Sequence, residues 1–147
     1  MRIPASRVPT TFWSASLSAR VGVKRPSDHP ERLDANPARM LEFRKQLHKA
    51  KTAWFDSRYG DEQLNLMVLA THPDYRRRGA ATLLVRWGVD QAARRGAAIT
   101  LFSSPMGLPL YTKLGFRPVG LVRCQVDGEE EFVELPGMIW EPWRRTI

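Results

Sequence analysis

The chain has 147 residues, 43% of them hydrophobic and 26% charged, which fits one globular domain and argues against wholesale disorder. No apolar run approaches the roughly 20 residues a membrane span needs, and the single Cys124 excludes an intrachain disulfide and a cysteine-built zinc site, pointing to a reducing intracellular home. That home is read as the cytoplasm, with the nucleus and mitochondrion as alternatives, while 23 Lys and Arg against 15 Asp and Glu give a net charge of +8 that calls for an anionic partner.

The basic excess is mostly N-terminal: residues 1–60 carry 12 basic and 5 acidic side chains, and the last third is slightly acidic through Glu129-Glu130-Glu131. The first 27 residues hold no acidic side chain and include Arg2, Arg7 and Arg20, a composition shared with organelle transit peptides. Pro4 and Pro9 oppose the amphipathic helix such a signal needs, and a strand around Phe12–Val23 is the alternative. Residues 1–35 are therefore read as a poorly patterned segment, partly disordered or carrying one strand, ahead of a domain spanning 36–147.

Asn36 and Pro37 form a helix start, and Met40, Phe43, Leu47, Ala50 and Trp54 trace one apolar face. Leu64–Ala70 is a nearly continuous apolar run, as expected of a strand buried on both faces, and Thr71-His72-Pro73-Asp74 ends it. After Gly79, residues 80–95 read as a helix with Ala80, Leu83, Leu84, Trp87 and Ala92 near one face, stopped by Gly96. Ala97–Phe102 is a short strand, Leu108–Leu114 a short helix closed by Gly115, and Val119–Val126 a further strand. A last strand lies within Glu131–Trp140, joined to its predecessor by a hairpin at Asp127-Gly128 and divided by Pro136-Gly137.

The arrangement of strand, basic glycine-containing loop and helix carries the chemistry. A helix start offers unpaired N–H groups and a positive dipole end, which together suit phosphate. Gly79 permits a backbone conformation closed to larger residues, Ala80 and Ala81 allow close approach, and Arg76, Arg77 and Arg78 add charge-assisted hydrogen bonds. The loop is neither a P-loop nor a dinucleotide fingerprint, because the Gly-Lys-Ser/Thr run and the further glycines are missing.

Leu69-Ala-Thr-His-Pro-Asp-Tyr-Arg-Arg-Arg-Gly-Ala-Ala81 resembles motif A of the GNAT superfamily of N-acetyltransferases, Gln/Arg-x-x-Gly-x-Gly/Ala, matched by Arg76, Gly79 and Ala81. Ser104-Pro-Met-Gly-Leu-Pro-Leu-Tyr-Thr-Lys-Leu-Gly-Phe116 is similar to the family's second signature, with Ser104 at its polar position, Gly107 at its small one, then Leu110-Tyr111 and Gly115-Phe116. The wording is nearest to fungal members, and the resemblance covers about residues 36–142.

The resemblance implies an α/β (α+β) fold, a mixed and mostly antiparallel sheet flanked by helices, and acetyl-CoA as cosubstrate. It implies backbone contacts from Val68, Leu69 and Ala70 to the pantetheine arm. Backbone amides from Arg78 through Gly79, Ala80, Ala81 and Thr82, with Arg76 and Arg77 nearby, would hold the pyrophosphate, and Ser104 stands at the polar position beside the cofactor. Tyr111 would protonate the departing thiolate, a role a positioned phenol can fill. The acceptor would be an amine of a small molecule or peptide.

No base is evident: the strand carries no carboxylate and Asn65 is its only polar residue, so Glu62 and His72 at its two ends are the candidates, with surface-loop residues as the alternative reading of each. Cys124 reads as packing rather than a nucleophile. Family members place strands and helices before motif A; with 63 residues ahead of the strand here, the resemblance implies an acceptor half that is shortened, replaced or borrowed from a partner chain, a homodimer being one form. A truncated, non-catalytic acyl-CoA-binding domain and a basic nucleic-acid-binding protein are the alternatives. The second is disfavoured because Phe43, Trp54 and Trp87 fall on apolar faces.

Overall fold

The computed structural model describes residues 36–143 and the backbone of Trp13–Ser16. The transit-like N-terminus and most of the strand expected around Phe12–Val23 lie outside the described residues; within that stretch, Trp13–Ser16 forms β1.

Pro37–Lys51 is helix α1, capped by Asn36, whose side chain accepts from the Ala38 and Arg39 N–H groups at 3.0 and 3.3 Å. It runs on through a π-helical turn, Thr52–Asp56, into one α-helical turn, Ser57–Tyr59 (α2). The expected apolar face holds at Phe43, Leu47, Ala50 and Trp54, but Met40 is exposed, and the deepest residue is Phe55, fully buried and next to Trp54. The wide turn lets these consecutive aromatics both reach the sheet.

Gln63–Ala70 is β2, Ala80–Arg95 α3, Ala98–Phe102 β3, Leu108–Lys113 α4, Arg117–Gln125 β4 and Phe132–Trp140 β5. The sheet order is β1-β2-β3-β5-β4. Pairing is parallel across β1, β2 and β3 and antiparallel across β3, β5 and β4, so the expected mixed sheet is present with its antiparallel part confined to one side. Among the described residues no helix is long and apolar enough to cross a membrane.

Helices cover both faces. On one, Val85 and Ala92 of α3 and Tyr111 of α4, with Phe116, pack against Leu64, Leu66, Ile99, Leu101 and Met138. The buried line of α3 is Val85, Gly88 and Ala92, whereas Leu83 and Trp87 are more than half exposed. The inward stripe is thus offset by roughly one residue from the expected one, since the large apolar side chains of Leu83 and Trp87 face outward. On the other face, Phe55 and Tyr59 lie on Ala98 and Ile139, and Ala50 lies on Val122 and Cys124. Cys124 is buried and its thiol is pushed up by that burial and by Glu42, in keeping with a packing role.

Pro136-Gly137 does not divide β5. The Pro136 carbonyl accepts from the Ser103 N–H at 2.9 Å, so its absent N–H would point toward β3, which has already ended opposite Gly137. Gly120 faces Gly137 across β4 and β5, and the Trp54 ring lies over both. A Cβ on Gly120 would stand 2.7 Å from that ring and one on Gly137 2.9 Å, so the two glycines form the seat for the tryptophan. The β4–β5 hairpin turns at Asp127-Gly128 as expected, with the Glu129 N–H donating to the Val126 carbonyl at 3.1 Å, inside a loop of residues 126–131. The Arg39 side chain at the start of α1 pairs with Glu129 at 2.6 Å and also with Glu131, tying the helix to that loop.

At the far end of β5, Glu141 has a side chain only 1% exposed and accepts from the Tyr59 hydroxyl at 2.7 Å, Arg58 at 3.2 Å and Arg117 at 3.0 Å. Burial alone would raise its pKa, but the hydrogen bonds from Tyr59 and Arg117 and the charges of Arg117 and Arg58 together hold it below the usual 4.5. Tyr59 is correspondingly pushed up to about 12, first by burial and then by Glu141. A depressed carboxylate contributes stability above its unfolded pKa and loses it as the pH falls through the folded value. Glu141→Ala is therefore expected to cost about 1–3 kcal/mol at neutral pH. In denaturant melts its stability should fall less than the wild type's on acidification from about pH 5 to about pH 3. Gly137→Ala should cost about 1–3 kcal/mol through overpacking, and less in a Trp54→Ala background where the ring is gone.

Candidate functional site

β2 pairs with β3 only from Gln63 opposite Ala98 to Leu66 opposite Leu101. Along β1, Trp13 faces Leu66 but Ser14 faces Val68, so Met67 is an extra residue in β2. This bulge reverses which side chains face which way: Leu64 and Leu66 before it and Leu69 after it all meet the α3 core. The expectation of burial on both faces holds only for the first half of the strand. Met67 is 61% and Val68 51% exposed, and Ala70 is exposed too, because past Leu66 none of the described residues pairs with the strand on its β3 side. Met67, Val68, Leu69 and Ala70 thus present main-chain N–H and C=O groups along one open edge, which need water or a ligand.

The chain then turns through a 3-10 helix, Pro73–Tyr75, and enters α3. Two residues in this loop are left-handed, Arg77 at φ 64° and Gly79 at φ 85°. Nothing lies within 4 Å of where a Gly79 side chain would start, so glycine is required here by conformation and not by lack of space. Gly79 is the N-cap of α3 and supplies no side-chain hydrogen bond, leaving the first N–H groups of the helix free of a side-chain cap. Ala80, Ala81 and Thr82 form that first turn and are half-buried. Arg76 donates from Nε to the Thr71 carbonyl at 3.2 Å, and the Arg78 guanidinium lies 5.2 Å from the Tyr75 ring centroid. All three arginines are exposed, so cations flank a helix start whose N-cap makes no side-chain hydrogen bond, which is chemistry suited to a phosphate.

Tyr111 lies in α4 on the same face of the sheet as α3 and in the same core cluster as Leu66, Leu69 and Leu101. The residue is 7% exposed and its ring meets Phe116 edge-on with centroids 5.5 Å apart. Gly107 allows this packing, since a Cβ there would stand 3.0 Å from the Tyr111 ring and 3.2 Å from the Ser103 Oγ. Among the described residues the Tyr111 hydroxyl has no hydrogen-bond partner, and no sealed side-chain oxygen there lacks one, so the hydroxyl reaches open space. Burial pushes its pKa up, which keeps it a phenol and a proton donor at neutral pH. Ser104, exposed, accepts from the Gly107 N–H at 3.2 Å and so braces the approach to α4.

Of the two candidate bases, Glu62 stands away from the opening and His72 lies just past its end. Glu62 is exposed at the opposite end of β2, five residues and about 16 Å of strand before the bulge. His72 is exposed and uses Nδ1 to accept from the Asp74 N–H at 3.3 Å, capping the 3-10 turn. A further polar residue at the opening is Asn65, the lone polar side chain of the apolar run, which stands where β2 and β3 part and is hydrogen-bonded to Thr100. A cavity of about 610 Å³ lies on the other side of the sheet, between the start of α1 and the β4–β5 loop, lined by Arg39, Phe43, Cys124, Glu129 and Phe132 among others.

Comparison with known proteins agrees with this geometry. The family model of the acetyltransferase (GNAT) domain matches residues 47–118, from α1 through the phosphate-type loop and α4 into β4. An Ajellomyces capsulatus protein named "Probable acyltransferase SID5" is 32% identical over 95 residues, covering 63% of this chain and 68% of the relative. A Stachybotrys chartarum protein named "Acetyltransferase" is 28% identical over 88 residues, and there the match spans 60% of this chain and 38% of the relative's length. In fold, the chain is similar to Arabidopsis thaliana NAA60, solved in complex with a bisubstrate analogue, at a TM-score of 0.50 and 18% identity over 63% of this chain and 58% of that one.

Since the Tyr111 hydroxyl makes no hydrogen bond within the described residues, Tyr111→Phe should leave thermal stability within about 1 kcal/mol of the wild type. Gly79→Ala should cost about 1–2 kcal/mol for its left-handed φ alone, whereas Arg77→Gly should be neutral or stabilising; thermal melts check both.

Proposed function

The chain belongs to the GNAT superfamily of N-acetyltransferases, and from that premise we propose that it moves an acetyl group from acetyl-CoA to an amine, with Tyr111 as proton donor. The observation that carries this reading is the open edge of β2 followed, across the loop of residues 71–79, by a helix start without a side-chain cap, with a solvent-reaching phenol on the same face as that helix. Residues 36–147 are taken as the functional unit, and the acceptor as an amine on a small molecule or peptide.

The roles divide along the chain. Main-chain groups of Val68, Leu69 and Ala70 hold the pantetheine amides by the same hydrogen bonds a neighbouring strand would make. The N–H groups from Arg78 to Thr82, with the Arg76, Arg77 and Arg78 guanidinium groups, neutralise the pyrophosphate. Ser104 fixes the turn that carries Gly107 and α4, and so the position of Tyr111.

In the reaction the neutral amine, its ammonium proton already lost to solvent, attacks the thioester carbonyl; the C–N bond forms and the C–S bond breaks. The nitrogen gives up one proton to solvent, and the sulfur gains one from Tyr111, which recovers its own from water. A phenol suits this task because it holds its proton at neutral pH yet can release it to a nascent thiolate.

Acetyl-CoA should raise the melting temperature, and an amine panel should reveal saturable release of free CoA. Tyr111→Phe should lower kcat about 10²- to 10⁴-fold while retaining that thermal shift; wild-type turnover in this variant removes the acid assignment. Stabilisation with no CoA release across the panel would support the non-catalytic binding domain instead, and no stabilisation at all would end both.

A further inference from the structure

Asn65 begins a chain of side-chain hydrogen bonds on the sheet face opposite Tyr111. Its Nδ2 donates to the Thr100 carbonyl at 3.2 Å and to the Thr100 Oγ1 at 2.9 Å. The Thr100 hydroxyl, fully buried, donates to the Gln63 Oε1 at 2.8 Å. Gln63 in turn donates through Nε2 to the Asp56 carboxylate at 3.0 Å and the Gly60 carbonyl at 2.9 Å, and Lys51 pairs with Asp56.

The direction of this chain is forced at both ends. The Gly60 carbonyl and the Asp56 carboxylate only accept, so Gln63 must turn its NH₂ to them and its oxygen to Thr100. Thr100 must then donate to Gln63, and its carbonyl and Oγ1 must both accept from Asn65. The Asn65 NH₂ is thereby held on Thr100, and Oδ1 is turned away from it. Among the described residues Oδ1 has no donor, and no sealed side-chain oxygen there lacks a partner, so it meets open space. From Asn65 through the Thr100 hydroxyl and Gln63 each group donates toward the Asp56 carboxylate, and such an aligned series strengthens the free acceptor at its far end.

We infer that the Asn65 carbonyl oxygen accepts an N–H from the acceptor amine and aims its lone pair at the thioester carbon, with Thr100, Gln63 and Asp56 as the residues that position it. This rests on the acyl-transfer reading above. Asn65 is the residue just before the last β2–β3 pair, so Oδ1 lies at the mouth of the parting. It faces the α1 side, whereas Tyr111 lies on the α3 side. Nucleophile and departing thiolate are thus served from opposite faces of the sheet. An amide oxygen orients a neutral amine without the negative charge that would hold it as unreactive ammonium.

The test measures CoA release against acetyl-CoA and amine concentration in wild type, Asn65→Ala, Asn65→Asp, Thr100→Val and Thr100→Ser, with the acetyl-CoA thermal shift of each. Asn65→Ala should lower kcat/KM for the amine tenfold or more, with the thermal shift unchanged. Thr100→Ser should keep wild-type kinetics and Thr100→Val should move toward Asn65→Ala. Asn65→Asp should add an ionisation to the pH profile of kcat/KM for the amine. Wild-type kinetics and pH profile in both Asn65 variants, in a wild type that turns over, overturn the inference and leave the acyl-transfer reading standing. A wild type with no thermal shift and no release overturns both.

Discussion

Main-chain N–H and C=O groups must be paired with something, and the ones that β2 cannot give to β3 govern the rest of this molecule. The two strands stay together for four residues and then part at Met67, where an extra residue bends β2 and β3 runs out at Phe102. A sheet that stops pairing in its middle would ordinarily be a weakness. Here it is contained, because β1 lies along the other edge of β2 and β5 continues beyond the end of β3. The opening is a property of the fold and needs no mobile segment to create it.

Other features are ordered around that opening. The bulge returns Leu69 to the α3 core, so the strand stays anchored just where it loses a neighbour. Left-handed Arg77 and Gly79 then swing the chain so that α3 starts beside the open edge with its N–H groups uncapped. On the far side, Trp54 seated on Gly120 and Gly137 presses the α1 helix onto β4 and β5, and buried Glu141 fastens α2 to the ends of the same strands. Both contacts tie the segment from α1 to α2 onto the sheet face opposite Tyr111.

Much of this was readable from residues alone. Asn36-Pro37, Gly79, Gly96 and Gly115 mark element ends because capping and positive φ are local demands, and all four positions recur in the structure as such boundaries. The loop of Arg76 to Ala81 and the pattern around Tyr111 were also legible, since spacing along one chain segment needs no folding to be seen. The polar chain from Asn65 to Asp56 was not, because Thr100 lies 35 residues from Asn65 and joins it only through parallel pairing of β2 with β3. A lone asparagine in an apolar strand was the sole trace of it.

The sequence by itself determined the order of elements, the family signatures and the basic, glycine-turned loop, all of which depend on neighbours within a few residues. Tertiary structure decided which half of β2 is buried, which stripe of α3 faces inward, and that Pro136-Gly137 lies within a continuous strand. Those outcomes depend on where β3 ends and on which ring sits over which glycine, contacts between segments tens of residues apart. It also located the surplus positive charge in part: Arg76, Arg77 and Arg78 rim an uncapped helix start, while Arg58 and Arg117 hold the buried Glu141 carboxylate.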